Sequence, residues 1–276
     1  MSTKRIFLWC VPRSLSSAFY RSISTLKNSK CLFEPFAIVR TFGRKEDRDT
    51  NGLWGSAFET GFLPTPLTTI PTYDSLKESL LQDRSDLDLL FIKDFPYYFV
   101  DPIRSEVLTS PEFNDFQHTF LIRDPKRAVY SYHKALGDQF EMKKSWMEEF
   151  GYVAQYDLYC TIREKMKKCP IVVDAIDLQT HPEETMKRYC QAVGIKYEAT
   201  MTKWKPSTEL EMGIWTDVNK IQWHTNLIES SGFKKINLAD QEPVPLDNLP
   251  KKTVSYIDEC SPLYEEMRLA KLNPLY

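Results

Sequence analysis

Neither sign of charge dominates this sequence of 276 residues: 36 Lys and Arg stand against 38 Asp and Glu, a formal net charge of -2. That balance excludes a global positive field that would steer the chain onto nucleic acid or anionic lipid, so any anion must be held by local groups. No apolar run reaches the roughly 18 residues that a membrane-spanning helix needs. The run after Lys4 and Arg5 stops at Pro12-Arg13, short of a signal-peptide core. The expectation is a soluble, cytoplasmic protein with no nucleic-acid or membrane partner. The cysteines (Cys10, Cys31, Cys160, Cys169, Cys190 and Cys260) form no CxxC pair, and His118, His133, His181 and His224 form no HExxH. Both gaps argue against a zinc mechanism, and no metal is expected. Internal repeats and low-complexity tracts are missing too. What is there, 42% hydrophobic residues, suits one globular domain spanning 1–276.

Short apolar runs alternate with helical periodicity. Ile6 to Val11 ends in Pro12-Arg13-Ser14, after which Phe19, Ile23 and Leu26 recur at helical spacing. Cys31-Leu32-Phe33 and Leu89 to Ile92 are further strand-length runs, followed by Glu34 and by Lys93-Asp94. Thr119 to Ile122 ends at Arg123-Asp124-Pro125, where Asp can cap a helix that Pro begins and Ala128, Tyr132 and Ala135 form its stripe. A helical stretch from about Ser145 to Lys167 leads to Ile171-Val172-Val173. A helix then runs from Pro182 and stops at Gly194. Five strands alternating with helices predict an α/β fold, a central parallel β-sheet flanked by helices, with ligands at the carboxyl ends of the strands. Four of the nine glycines and Pro64, Pro66 and Pro71 crowd a region within about 41 to 88, read as an irregular lid or substrate loop.

Two motifs carry the chemistry. Pro12-Arg13-Ser14-Leu15-Ser16-Ser17 joins the first strand to the first helix, where unpaired N–H groups, the positive dipole end, Arg13 and three hydroxyls can cradle a phosphate. The loop lacks the GxxxxGK[ST] pattern of nucleotide triphosphatases; an N-capping turn with surface serines is the plain alternative. In the second motif Arg123 ends a strand and Ser131 follows eight residues later. That spacing of about two helical turns lets arginine and hydroxyl share one phosphate, while a structural ion pair with Asp124 would also explain Arg123. Lys126, Arg127 and Lys134 read as solvated charges.

Together the motifs resemble those of sulfotransferases that use 3′-phosphoadenosine 5′-phosphosulfate (PAPS). Their 5′ loop reads PKSGT or PRSGS, and their 3′ element reads Arg-(Asn/Asp)-Pro with serine eight positions after the arginine. The resemblance covers roughly residues 4 to 195, more weakly at Cys31–Phe36 and Phe91–Asp94, and leaves 195–276 as a divergent C-terminal part. It implies a sulfotransferase-type, P-loop-like fold. It also implies PAPS as co-substrate, adenosine 3′,5′-bisphosphate as product, and Arg13, Ser14, Leu15, Ser16, Ser17, Arg123 and Ser131 as nucleotide contacts. Leu15 stands where the family usually has glycine. Lys93-Asp94-Phe95 replaces the Lys-Thr-His segment that supplies a histidine base, and no Arg-Lys-Gly follows near the C-terminus, where Lys234 and Lys235 are a weak substitute.

Sulfuryl transfer also needs charge neutralised on the leaving phosphate, for which Arg13 is placed, and a base for the acceptor proton. Glu34 is the first candidate, resembling the Glu-Pro of carbohydrate-type sulfotransferases; Asp94 is second and His133 third. The competing reading of Glu34 is an ion pair with Arg13 or Arg40 that holds the cradle. Lys93 could touch the sulfuryl group or simply pair with Asp94. Trp9, Phe19, Tyr20, Trp204, Trp215 and Trp223 are stacking candidates that would more commonly fill a core. The irregular Thr41 to Tyr73 segment and the chain after Gly194, with Trp54, Phe58, Phe62, Trp204 and Trp215, are expected to shape the acceptor pocket. The expected activity is transfer to a hydroxyl or amine of a small-molecule acceptor. A nucleotide-dependent phosphotransferase and a non-catalytic nucleotide-binding protein are the alternatives. Acceptor identity and oligomeric state stay open.

Overall fold

The computed structural model describes residues 2–43, 72–99, 103–136, 150–167, 169–206 and 225–273. In chain order the elements are β1 (Lys4–Cys10), α1 (Ser16–Ser24), β2 (Ser29–Phe33), α2 (Pro35–Phe42), α3 (Tyr73–Leu81), β3 (Leu89–Asp94), α4 (Ile103–Thr109) and β4 (Phe116–Ile122). They continue with α5 (Pro125–Leu136), α6 (Tyr152–Lys165), β5 (Ile171–Asp174), α7 (Ala175–Thr180), α8 (Pro182–Val193), α9 (Thr225–Ile228) and α10 (Lys251–Leu269).

All five expected strands form, and they make one parallel sheet in the order β2-β3-β1-β4-β5. β1 is central and apolar on both faces because helices cover both. Ile6, Leu8 and Cys10 join the core cluster that holds Phe19, Tyr189 and Met186. Phe7 and Trp9 point the other way into a cluster with Phe36, Phe99 and Phe120, as period-two alternation requires. The register sets the strand tips side by side: Trp9 opposite Asp94, Phe33 opposite Lys93, and Cys10 opposite Leu121. Polar residues at or just beyond the tips of β1 to β4 therefore meet at one edge.

Two boundaries differ from the sequence-based expectation. The region read as an irregular excursion contains α3, whose Leu76 and Leu80 are buried one helical turn apart and whose Thr72 accepts a hydrogen bond from Ser75 N–H. Residues 44–71 lie outside the described residues. The helical stretch expected from about Ser145 has its start outside the described residues; within them it is interrupted after the helical Phe150 by Gly151, which takes φ 81, and resumes as α6 at Tyr152. Gly194 ends α8 with φ 73, as its position predicts. No helix among the described residues is long and apolar enough to cross a membrane.

Candidate functional site

β1 passes through Val11 into a turn with two left-handed residues, Arg13 at φ 60 and Leu15 at φ 68. Left-handed residues in so short a loop curl backbone N–H groups into an anion-binding concavity. Leu15 is also the N-cap of α1 and makes no side-chain cap. The first-turn N–H groups and the positive end of the helix dipole are thus presented to the adjoining space. Ser16 and Ser17 face the same cavity, whereas Ser14 is fully buried and donates its hydroxyl to the Val11 carbonyl at 2.7 Å. Ser14 builds the loop and does not line the cavity.

The second motif arrives from β4 and α5. Arg13 Nε donates to Ser131 Oγ at 3.2 Å, and the Arg123 guanidinium donates to the Arg13 carbonyl. Two sequence motifs more than a hundred residues apart are therefore hydrogen-bonded to each other. Burial lowers the pKa of Arg13. Arg123 is brought down to about 10, first by burial, against the opposing pull of Tyr152 and Asp124 and with the help of the Arg13 and Arg127 charges. Two half-buried guanidiniums facing one space favour an anion there, because it would relieve both burial and mutual repulsion.

On the other side of the loop, Glu34 takes φ 54 as the N-cap of α2, and its N–H donates to the Lys93 carbonyl at 2.7 Å. Its carboxylate pairs with the Lys93 ammonium; the side chains are 12% and 1% exposed. The ammonium also sits over the rings of Phe33 and Phe95, at 4.5 and 3.9 Å from their centroids. Burial raises the Glu34 pKa and the Lys93 charge opposes it. For Lys93, burial is outweighed by Cys10, Glu34 and Asp94, and the net direction is upward. The ion partner of Glu34 is thus Lys93, whereas the sequence suggested Arg13 or Arg40. The Cys10 thiol nearby is pushed up to about 11, first by burial, which keeps it protonated at neutral pH.

Asp94 is fully buried and accepts from Phe36 N–H at 2.6 Å and from Phe95 N–H at 2.8 Å. It fastens the start of α2 and does not line the cavity. His133 lies on α5 beyond Ser131 and is likewise outside the cavity wall.

Arg13, Leu15, Ser16, Ser17, Glu34, Lys93, Arg123 and Ser131 all line one cavity of about 1050 Å³. Its wall also includes Phe95, Tyr98 and Gln179, none of them a candidate from the sequence, and Lys203 and the stretch Ser230–Gly232 from the chain after Gly194, which was expected to shape the pocket without those residues being singled out. Lys234 and Lys235, noted only as a weak substitute, line it as well. The Ser230–Lys235 segment is pinned by an antiparallel bridge between Lys203 and Gly232. A Cβ on Gly232 would lie 2.4 Å from the Thr202 carbonyl oxygen, so this lone glycine was the available sequence signal. Of the aromatic candidates, Trp9, Phe19 and Tyr20 are core residues. Trp204 packs edge-on to Phe233 and donates to Ser230 Oγ at 3.0 Å. Trp54, Phe58, Phe62, Trp215 and Trp223 lie outside the described residues.

Residues 112–267 match the family model of the sulfotransferase domain. Two curated relatives come from Arabidopsis thaliana. Branched-chain-amino-acid aminotransferase-like protein 2 is 27% identical over 161 residues, 58% of this chain and 26% of that protein. Branched-chain-amino-acid aminotransferase-like protein 1 is 31% identical over 152 residues, 55% and 24% respectively. The chain spans about a quarter of the length of these relatives. Among solved structures, a sulfotransferase from Alicyclobacillus acidocaldarius superposes with a TM-score of 0.50 at 11% identity, over 99% of this chain and 98% of that one.

Proposed function

The chain belongs to the sulfotransferase-domain family, and on that premise we propose that it transfers a sulfuryl group from PAPS to a hydroxyl or amine of a small acceptor. The observation that carries this reading is the convergence of Arg13 and Arg123 on one cavity, through the Arg13–Ser131 and Arg123–Arg13 hydrogen bonds. Groups placed this way would hold the two phosphate ends of a single adenine nucleotide, the 5′ end at the N-terminus of α1 and the 3′ end at Arg123 and Ser131. A space of about 1050 Å³ is at the upper end of ligand-pocket sizes and accommodates donor and acceptor together.

In the proposed reaction the acceptor oxygen or nitrogen attacks sulfur in line, and the bond from sulfur to the 5′-phosphate oxygen breaks. Glu34 takes the acceptor proton, and Arg13 with the α1 N–H groups neutralises charge growing on the departing adenosine 3′,5′-bisphosphate. Lys93 holds the Glu34 carboxylate at the edge of the cavity.

Thermal unfolding tests the nucleotide assignment. Adenosine 3′,5′-bisphosphate at about 100 times its dissociation constant should stabilise the protein by roughly 2.7 kcal/mol without added magnesium. Arg123→Ala should weaken that binding by about 1.5 to 3 kcal/mol, the range for hydrogen bonds to charged groups. Stabilisation by ATP with magnesium alone would favour a phosphotransferase instead, and a wild-type dissociation constant in Arg123→Ala would reject the 3′ assignment.

A further inference from the structure

A nucleotide held at both ends requires its two grips to stand at a fixed separation, and those grips hang from different strands. The β1–β4 ladder ends at Cys10 opposite Leu121, and the chain continues from there to Arg13 on one strand and to Arg123 on the other. Helix α6 reaches both sides of this junction. Gln155, 1% exposed, uses its amide nitrogen to donate to the Trp9 carbonyl at 3.2 Å and to the Leu121 carbonyl at 3.0 Å. One side-chain amide carries two N–H donors, so a single residue can bridge two strands. One helical turn earlier, on the same face, Tyr152 donates its hydroxyl to the Arg123 carbonyl at 2.8 Å. Tyr152 is 3% exposed and shares a core cluster with Val11, Ala128 and Val129, the residues leading to Arg13 and Ser131. Neither Tyr152 nor Gln155 lines the cavity.

We propose that Tyr152 and Gln155 are positioning residues that set the spacing between the 5′ and 3′ phosphate grips by fixing the backbone at the tips of β1 and β4. The proposal rests on reading the cavity as a PAPS site. Its distinctive consequence concerns ligands that span both grips. Loosening the junction costs a two-ended ligand the advantage of preorganised contacts at both ends, while a one-ended ligand keeps its single grip.

Calorimetric titration of the intact protein would use adenosine 3′,5′-bisphosphate, adenosine 5′-monophosphate and adenosine 3′-monophosphate. In the wild type the bisphosphate should bind more tightly than either monophosphate. In Gln155→Met and in Tyr152→Phe its affinity should fall about tenfold while both monophosphates stay within about twofold. Equal losses for all three ligands, or no loss for the bisphosphate, would overturn the positioning role. A wild type that does not prefer the bisphosphate would instead remove the PAPS reading on which the proposal stands. Should Gln155→Met not fold, Tyr152→Phe keeps the buried ring and carries the comparison alone.

Discussion

A carboxylate accepts a proton from a hydroxyl near neutral pH only when its surroundings lift its pKa, and Glu34 is lifted by burial against the restraint of Lys93. Glu34→Gln should lower turnover roughly 100-fold with nucleotide affinity nearly unchanged; unaltered turnover would take the base role away from Glu34. In the proposed reaction the ionised form of Glu34 is the base, so the acid limb of kcat/KM should lie above the ordinary carboxylate pKa of 4.5. The Lys93 ammonium pulls that value down, so Lys93→Met should move the limb to higher pH. A limb that stays put or falls would exclude Lys93 as the partner that tunes the base. Glu34 was legible in the sequence as a strand-end carboxylate, but its partner was not. Lys93 meets it because β2 and β3 are neighbours with Phe33 opposite Lys93, and strand order is not written in local sequence. The same reason hid the role of Asp94, whose carboxylate is taken up by the backbone N–H groups of Phe36 and Phe95.

At the scale of the element, α1 is entered through a conformation that leucine adopts at a cost. Leu15 keeps the left-handed geometry expected of glycine, with φ 68 and ψ 15, at a penalty on the order of 1 kcal/mol. Its side chain packs against the core cluster around Phe19 and Ile23. Truncation to Ala removes the packing and keeps the strain, whereas truncation to Gly removes both. Urea unfolding should therefore find Leu15→Gly more stable than Leu15→Ala by about 1 kcal/mol, the reverse of the usual preference in a helix. Equal stabilities would show that the loop relaxes out of the left-handed region. The strands, the start of α5 at Pro125 and the stop of α8 at Gly194 followed from apolar runs, proline and glycine. α3 was missed because two leucines four apart beside a Gly/Pro-rich stretch are a weak periodic signal, and its burial is supplied by other elements.

At the scale of the molecule, the site draws on two unequal parts of the chain. The region matching the sulfotransferase model, 112–267, contains Arg123 and Ser131, while Arg13, Glu34 and Lys93 lie before it. The sheet unites them, and α10 packs against β4, β5, α5 and α6. One fastening is Tyr264, whose hydroxyl donates to the Asp174 carboxylate at 2.8 Å at the tip of β5. Tyr264→Phe should destabilise the whole domain by about 1 to 3 kcal/mol in urea at neutral pH. Burial already raises the Asp174 pKa from 3.8, while Ile176 N–H and Tyr264 oppose it, so losing the hydroxyl raises it further. A raised carboxylate pKa penalises the folded state above that pKa and not below the unfolded value. The gap between variant and wild type should consequently narrow as pH falls from neutral toward 3.8. A gap that widens would contradict the hydrogen bond to the charged form.

Local chemistry was enough to specify which short segments become strands, that α1, α5 and α8 form, and which residues stand at strand tips. Apolar periodicity, capping residues and the two arginine motifs act over a few residues and can be read there. Only the tertiary structure decided that Glu34 faces Lys93, that Ser14 and Asp94 turn to the backbone, that Ser230–Lys235 returns to the cavity wall, and that α6 ties the two strand tips. Each of those depends on strand order and long-range packing, where the partner lies tens of residues away and burial selects it.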